Sequence, residues 1–93
     1  MPHRPVIRKR VVIYGRVQGV FFRDTARRMA QSRGLGGWVR DAPDGTVEAV
    51  FEGEAEAVES MVRWCAQGPG AAVVERVEVT DEEPEGQTEF RIR

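Results

Sequence analysis

The order in which hydrophobic periods follow one another constrains the fold of this chain more than any other feature of its sequence. Alternating apolar residues and turn signals predict strands at 6–14, 38–41, 46–53, 72–80 and 89–93. Apolar residues three or four apart predict helices from 21 or 22 to 33 and at 54–67. This order favours a ferredoxin-like βαββαβ sandwich of the α+β class, in which one mostly antiparallel sheet carries both helices on one face. The position of the last short strand in the sheet stays open.

Each predicted helix carries one apolar face that can pack on the sheet. These faces consist of Phe22, Ala26, Met29 and Ala30 in the first helix, and of Val58, Met61, Val62 and Cys65 in the second. Gly34 follows the first helix and is a favourable residue for the left-handed turn that ends a helix, with Leu35 as its hydrophobic contact. Both helices are therefore expected to lie against a single core.

Length and composition predict one domain over residues 1–93, with a loose N-terminus at 1–5. No stretch resembles a signal peptide or a transmembrane helix, so we expect a cytoplasmic protein with no membrane partner. A formal net charge of −1 argues against a surface built for nucleic acid. The predicted strands also lack the aromatic set that RNA-binding sheets of this strand order display. We expect a monomer.

The chain has one cysteine and one histidine, which excludes several kinds of site. Cys65 has no disulfide partner and His3 stands alone near the N-terminus, so no cysteine-rich metal site and no histidine-based triad can form. Because Cys65 lies on the apolar face of the second predicted helix, we interpret it as a buried, inert thiol.

The run GRVQGVFFR at 15–23 joins the first predicted strand to the first predicted helix. Its two glycines permit a sharp turn that exposes backbone N–H groups, which favour an anion where a helix begins. Arg23 adds a planar guanidinium suited to a phosphate or a carboxylate. From residue chemistry alone, an anion cradle and a plain glycine turn beside a surface arginine both remain open. The run lacks the further residues of a nucleotide P-loop or a dinucleotide fingerprint, so a small phosphate-bearing molecule fits better.

The predicted hairpin around 38–46 is the second candidate region. We interpret Asp44 and Gly45 as turn residues and Trp38 as core filling, whereas Asp41, at a strand end, can point into a shared cleft. Two charged segments are interpreted as solvated: the basic residues 8–10 as an exposed strand edge, and residues 81–87 as an acidic loop without metal-ligand spacing.

Two motifs in register resemble the acylphosphatase family. The run at 15–23 is similar to the signature loop of that family, and GWVR at 37–40 with PDGTVE at 43–48 is similar to its second motif. The resemblance covers nearly the whole chain. It implies a ferredoxin-like sandwich that hydrolyses the carboxyl–phosphate bond of a small acyl phosphate, by in-line attack of water on phosphorus and without a metal or cofactor. It assigns phosphate binding to Gln18, Gly19, Val20 and Arg23, and catalysis to Arg23 and residue 41.

Residue 41 departs from the family pattern. The resembling motif usually has an asparagine that positions the attacking water, and this chain has Asp41. A carboxylate keeps acceptors for a water but adds a charge that repels the phosphate. At ~5 Å and an effective dielectric of ~20, each repelling unit charge costs roughly 3 kcal/mol. If that cost fell on the transition state alone, turnover would slow by roughly a hundredfold. Arg23 can pair with Asp41 and offset part of the repulsion, in competition with phosphate.

Three alternatives to an active acylphosphatase follow from these residues. The first is a catalytically weakened or inactive module that keeps the phosphate cradle. The second is the acylphosphatase-like domain at the front of larger carbamoyl-transferring maturation proteins, although the absence of zinc-type cysteines after it favours a free-standing protein. The third is a nucleic-acid or protein-interaction module, which would bind RNA or DNA with a steep salt dependence.

Overall fold

Helices and strands follow the predicted order in the computed structural model, which describes residues 5–93. The elements are β1 (Val6–Arg16), α1 (Phe22–Ser32), β2 (Gly36–Asp41), β3 (Val47–Glu54), α2 (Ala55–Cys65), β4 (Val73–Glu82) and β5 (Phe90–Ile92). The predicted loose segment at 1–5 lies outside the described residues except for Pro5, which is exposed.

The strands form a five-stranded sheet in the order β4-β1-β3-β2-β5. β1 runs antiparallel to both β3 and β4, and β2 runs antiparallel to β3. β5 runs parallel to β2, which places the last strand at the sheet edge beyond β2. The prediction of a ferredoxin-like, mostly antiparallel sheet is confirmed.

Both helices pack on the same face of the sheet. Their buried side chains form one cluster with alternate residues of the strands, among them Val11 and Ile13 of β1 and Ala49 and Phe51 of β3. The first helix ends as predicted. Gly34 has a φ of 69°, and the N–H of Leu35 bonds the carbonyl of Ala30 at 3.0 Å, so the last turn is closed and Leu35 is buried.

The basic residues at the start of β1 are not a solvated edge, and that prediction is wrong. β1 lies between β3 and β4, so Arg8 is only 4% exposed and bonds the carboxylates of Glu52 and Glu82 at 3.0 and 2.9 Å. Burial acts to lower the pKa of Arg8, but hydrogen bonds to Glu82 and Glu52 outweigh it and raise that pKa. Local sequence does not reveal which strand becomes central.

The prediction of a solvated acidic loop at 81–87 is also wrong in part. β4 continues to Glu82, and residues 83–89, which we call the crossing segment, run from β4 to β5 on the other edge of the sheet. The buried carboxylate of Glu52 accepts hydrogen bonds from the N–H groups of Glu85, Gly86 and Gln87 at 2.7–3.1 Å. A Cβ at Gly36 would lie 2.1 Å from the carbonyl oxygen of Gln87, so the segment passes directly over that glycine.

Trp38 is buried, as predicted, but it lies on the sheet face opposite the helices. The next residue, Val39, belongs to the core beneath the helices, and successive side chains of a strand alternate between faces. The guanidinium groups of Arg10 and Arg93 lie over the indole ring, 5.4 and 4.6 Å from its centroid. Two cations therefore cover this aromatic ring on the sheet face opposite the helices.

Candidate active site

The loop between β1 and α1 is shaped by residues with unusual backbone angles. Gly15 has a φ of 130°, and a Cβ there would lie 2.1 Å from the carbonyl oxygen of Val73, at a bulge between β1 and β4. Gly19 has a φ of 73°, and a Cβ there would meet no atom within 4 Å. Gly15 thus lets the chain pass close to β4, whereas Gly19 leaves open space beside the loop.

Two charged side chains meet beside this loop. Arg23 stands in the first turn of α1 and Asp41 ends β2, and their Nε and Oδ2 atoms are 3.4 Å apart. The side chains are 46% and 32% exposed, so both can reach a ligand from solvent. The other carboxylate oxygen, Oδ1, is buried and has no hydrogen-bond partner within residues 5–93. The carboxylate is therefore only partly compensated.

One cavity of about 260 Å³ collects the central residues of this region. It is lined by Val17, Gly19, Phe21, Phe22, Arg23, Asp24, Asp41 and Ile92. Of the predicted site residues, the structure brings Gly19, Arg23 and Asp41 together there. A guanidinium, a carboxylate and an open glycine at a helix N-terminus can receive a small anion together with a water.

Gln18 and Val20 do not line this cavity. Val20 is partly buried and packs against the hydrophobic core. The side chain of Gln18 points to the β2–β3 hairpin, where its Nε2 donates to the carbonyl oxygens of Ala42 and Thr46 at 2.8 and 2.9 Å. Within residues 5–93, no hydrogen bond occupies the backbone N–H of Gln18 or of Gly19. These N–H groups stay available while the amide side chain joins the loop to the hairpin.

The hairpin turn is held by its own hydrogen bonds, as predicted for Asp44 and Gly45. The Oδ1 of Asp44 accepts from the hydroxyl and the N–H of Thr46 at 2.7 and 3.1 Å, and these bonds lower the pKa of Asp44. Gly45 has a φ of 92°, a conformation that favours glycine. A rigid turn fixes the end of β2, and so the position of Asp41.

The sequence interpretation missed Phe21, Val17 and Ile92 as cavity residues. Ile92 reaches the cavity because β5 pairs with β2, a long-range contact that no local pattern indicates. The sequence did carry a signal for Phe21. Two adjacent phenylalanines at the start of a helix cannot both face the core, so one of them is expected to be exposed. Phe22 is buried and Phe21 is 80% exposed.

The described part of the chain contains no reactive cysteine, no metal site and no membrane-spanning helix. Cys65 is fully buried, as predicted, and burial raises the pKa of its thiol well above the usual range, which agrees with its interpretation as inert. Within residues 5–93, no three side chains of His, Cys, Asp or Glu are placed to hold a metal ion together. Neither described helix has the length and apolar character needed to cross a membrane.

Comparison with known proteins gives a consistent result. A model of the family described as Acylphosphatase matches residues 9–92. An acylphosphatase from Rubrobacter xylanophilus is 59% identical over 83 residues, covering 89% of this chain and 76% of that protein. One from Gloeobacter violaceus is 54% identical over 86 residues, covering 92% of each. The solved structure of a Coxiella burnetii acylphosphatase matches with a TM-score of 0.90 at 35% identity, over 95% of this chain and 93% of that one. The resemblance of the two motifs is thereby confirmed, and the chain belongs to the acylphosphatase family.

Proposed function

We propose that this protein is an acylphosphatase, which hydrolyses the carboxyl–phosphate bond of a small acyl phosphate to a carboxylate and inorganic phosphate. The observation that carries the proposal is the meeting of Gly19, Arg23 and Asp41 around one cavity. Membership of the acylphosphatase family supports the class of reaction. The arrangement of these three residues supports this cavity as the place where the reaction occurs. Water attacks phosphorus in line with the departing carboxylate oxygen.

The phosphoryl group binds to Arg23 and to the backbone N–H groups of Gln18, Gly19 and Val20. Arg23 has no ion pair other than Asp41 among residues 5–93, so its Nη groups are free to pair with phosphoryl oxygens. Charge accumulates on these oxygens in the transition state of phosphoryl transfer. Preorganised donors around them therefore stabilise the transition state more than the free substrate.

Asp41 takes the place of the asparagine that positions water in the resembling motif. Because Oδ1 is buried, Oδ2 is the oxygen that can accept a hydrogen bond from the attacking water, and in the free protein it pairs with Arg23. Phosphate competes for Arg23 and so releases Oδ2 toward the water. The remaining negative charge repels the phosphoryl group, which makes Asp41 the residue that limits the rate.

A phosphate-binding module without turnover is the alternative within this fold, and it is not favoured. The chain keeps the whole signature loop, and substitution of one polar residue by another at 41 leaves an acceptor for water in place. The two functions differ in one measurement, because only the enzyme releases phosphate over many turnovers.

Phosphate release from acetyl phosphate tests the proposal. Arg23→Ala removes the guanidinium, and we expect kcat/KM to fall by at least about a hundredfold, the loss typical of one oxyanion donor. Arg33→Ala is the matched control, because Arg33 lies at the other end of α1 and lines no part of the cavity. Equal activity of Arg23→Ala and Arg33→Ala, or no turnover by the unaltered protein, would overturn the proposal.

We also propose that the protein acts as a cytoplasmic monomer without a nucleic-acid partner. The net charge of −1 supports the absence of a nucleic-acid partner. The large exposed apolar side chains in the described residues are few and come from different parts of the chain: Val6 at the start of β1, Phe21 before α1, and Val73 and Val79 in β4. Single exposed apolar residues of this kind are normal on monomeric proteins.

A further inference from the structure

The charged residues that line the cavity do not by themselves favour an anion. Three of the lining residues are charged, and they are Arg23, Asp24 and Asp41. One guanidinium and two carboxylates leave a net charge of −1, which repels a phosphoryl dianion. The lining alone therefore disfavours the group that the proposed function requires it to bind.

Asp24 suits the start of a helix but not an anion site. It stands in the first turn of α1, where a carboxylate complements the positive end of the helix dipole. The same positive end favours the phosphoryl group of a substrate. Asp24 thus stabilises the helix and competes with the substrate for one electrostatic feature.

Both carboxylate oxygens of Asp24 are paired with arginines from the next turn of α1. Oδ1 is 2.7 Å from Nη2 of Arg27, and Oδ2 is 3.2 Å from Nε of Arg28. We call these three residues, together with Arg23 and Asp41, the charge cluster. Three guanidiniums and two carboxylates give the charge cluster a net charge of +1, so the two added arginines reverse the sign of the charge around the cavity.

Two arginines are more than Asp24 needs. One guanidinium neutralises a carboxylate, and an exposed ion pair adds little to stability, so folding does not explain the second arginine. Arg27 and Arg28 also lie in the second turn of α1, whereas cations stabilise a helix at its last turn, which has no basic residue. The surplus positive charge therefore stands at the end of α1 that lines the cavity.

We propose that Arg27 and Arg28 are positioning residues for phosphate binding, which act by neutralising Asp24 and by making the field around the cavity positive. This inference rests on the proposed function and adds to it two residues that line no part of the cavity. Arg23 makes the direct contact with the phosphoryl group. Because Arg27 and Arg28 touch no reacting atom, they change the affinity for phosphate and leave the chemical step alone.

The test uses Arg27→Gln/Arg28→Gln, the near double variant. Glutamine has nearly the helix propensity of arginine but carries no charge. Each exposed charge interaction changes affinity by up to about fivefold, so we expect KM for acetyl phosphate and the inhibition constant of inorganic phosphate to rise about three- to tenfold at about 0.1 M salt, with kcat within about twofold. The rise should largely disappear at about 1 M salt, where the Debye length is about 3 Å.

Asp24→Asn tests whether the arginines act through this carboxylate. On its own it makes the charge cluster more positive without removing either arginine, and both constants should fall. Added to the near double variant, it brings the charge cluster from −1 to neutral, and part of the lost affinity should return. The constants should thus follow the net charge of the cluster across all four proteins.

The matched control, Arg33→Gln/Arg63→Gln, removes the same charge at a distance. Arg33 is the C-cap of α1 and Arg63 lies in the last turn of α2, and neither lines the cavity. Arg33 lies about 15 Å along the helix from Arg23, beyond the Debye length of about 10 Å at 0.1 M salt. We therefore expect both constants to stay within about twofold of the unaltered values.

The outcomes separate this inference from the proposed function. If the unaltered protein hydrolyses acetyl phosphate and the near double variant matches the control, the inference is wrong and the acylphosphatase activity stands. A rise in the constants that persists at high salt, or that Asp24→Asn does not reduce, also overturns the inference. If the unaltered protein releases no phosphate, the proposed function fails, and calorimetric titration with inorganic phosphate then tests the charge effect alone, with equal affinities overturning it.

Discussion

The carboxylate of Asp41 has two oxygens in very different surroundings. Oδ2 faces Arg23 across 3.4 Å, and Oδ1 is buried with no hydrogen-bond partner within residues 5–93. A buried acceptor without a partner costs about 1–3 kcal/mol of stability. In the proposed reaction the negative charge also repels the phosphoryl group; a neutral side chain of the same shape removes that repulsion but still leaves a buried polar atom without a partner.

Asp41→Asn is expected to raise kcat/KM for acetyl phosphate, by up to about a hundredfold if the full charge repulsion of roughly 3 kcal/mol is removed. Arg23 already offsets part of this repulsion, so the gain should be smaller in the folded protein. Steady-state kinetics and a thermal unfolding curve on the same samples measure activity and stability together. A fall in activity with unchanged stability would mean that the carboxylate takes a proton from water and is needed.

At the scale of the elements, a side chain reinforces strand pairing at the candidate site. Gln18 belongs to the loop after β1, and its amide donates to two carbonyl oxygens of the β2–β3 turn. The loop that surrounds Gly19 and the strand end that carries Asp41 are thus held in one arrangement. The sequence interpretation assigned Gln18 to phosphate through its backbone and left the amide side chain without a role.

Gln18→Leu keeps the side-chain size but removes both of these hydrogen bonds. We expect the free energy of unfolding to fall by about 1–3 kcal/mol, as for two neutral bonds, and kcat for acetyl phosphate to fall about tenfold or more because Asp41 loses its fixed distance from the loop. Gln31→Leu is the control, since Gln31 makes a similar bond to the carbonyl of Phe90 outside the cavity. Equal kcat values for the two variants would rule out a positioning role.

At the scale of the molecule, ion pairs on the sheet face opposite the helices hold distant parts of the chain. Glu52 binds Arg8 and three N–H groups of the crossing segment, and Glu82 binds Arg8 and Arg10. Burial acts to raise the pKa of Glu52, but its hydrogen bonds with the crossing segment and Arg8 outweigh it and lower the pKa. The pKa of Glu82 is lowered by hydrogen bonds with Arg8 and Arg10.

Stability should therefore depend on acid pH. A carboxylate with a lowered pKa in the folded state stabilises fully above its unfolded pKa, about 4.3, and this stabilisation is lost as pH falls through the folded value. Urea unfolding between pH 7 and pH 3 should show a constant free energy down to about pH 5 and a decline below it. Glu52→Gln should lose about 3 kcal/mol at pH 7, because Arg8 loses its buried carboxylate partner and the N–H groups of the crossing segment lose a charged acceptor, and should decline less steeply in acid. Parallel curves for both proteins would contradict this explanation.

The sequence predicts local structure well because hydrophobic periods and turn residues are local. Both helix faces, the Gly34 stop and the Asp44 turn follow from residues within one or two turns of each other. The burial of Arg8, the path of the crossing segment and the place of β5 depend on partners far along the chain, such as Glu52 with residues 85–87. The same contrast holds for the residues that line the cavity. The sequence predicted Arg23 and Asp41, but it did not predict Ile92, which reaches the cavity through the pairing of β5 with β2.

The short edge strand β5 gives the residues that line the cavity unequal protection against local opening. β5 has three residues and, within residues 5–93, pairs only with β2, whereas β1, which leads into the loop at Gly19, pairs on both sides. Edge segments of this kind exchange their amide hydrogens through small openings that leave the rest of the fold intact. Each such opening removes Ile92 and spares Gly19 and Arg23. Warming should therefore loosen the cavity wall at Ile92 well before it disturbs the loop at Gly19 and the first turn of α1.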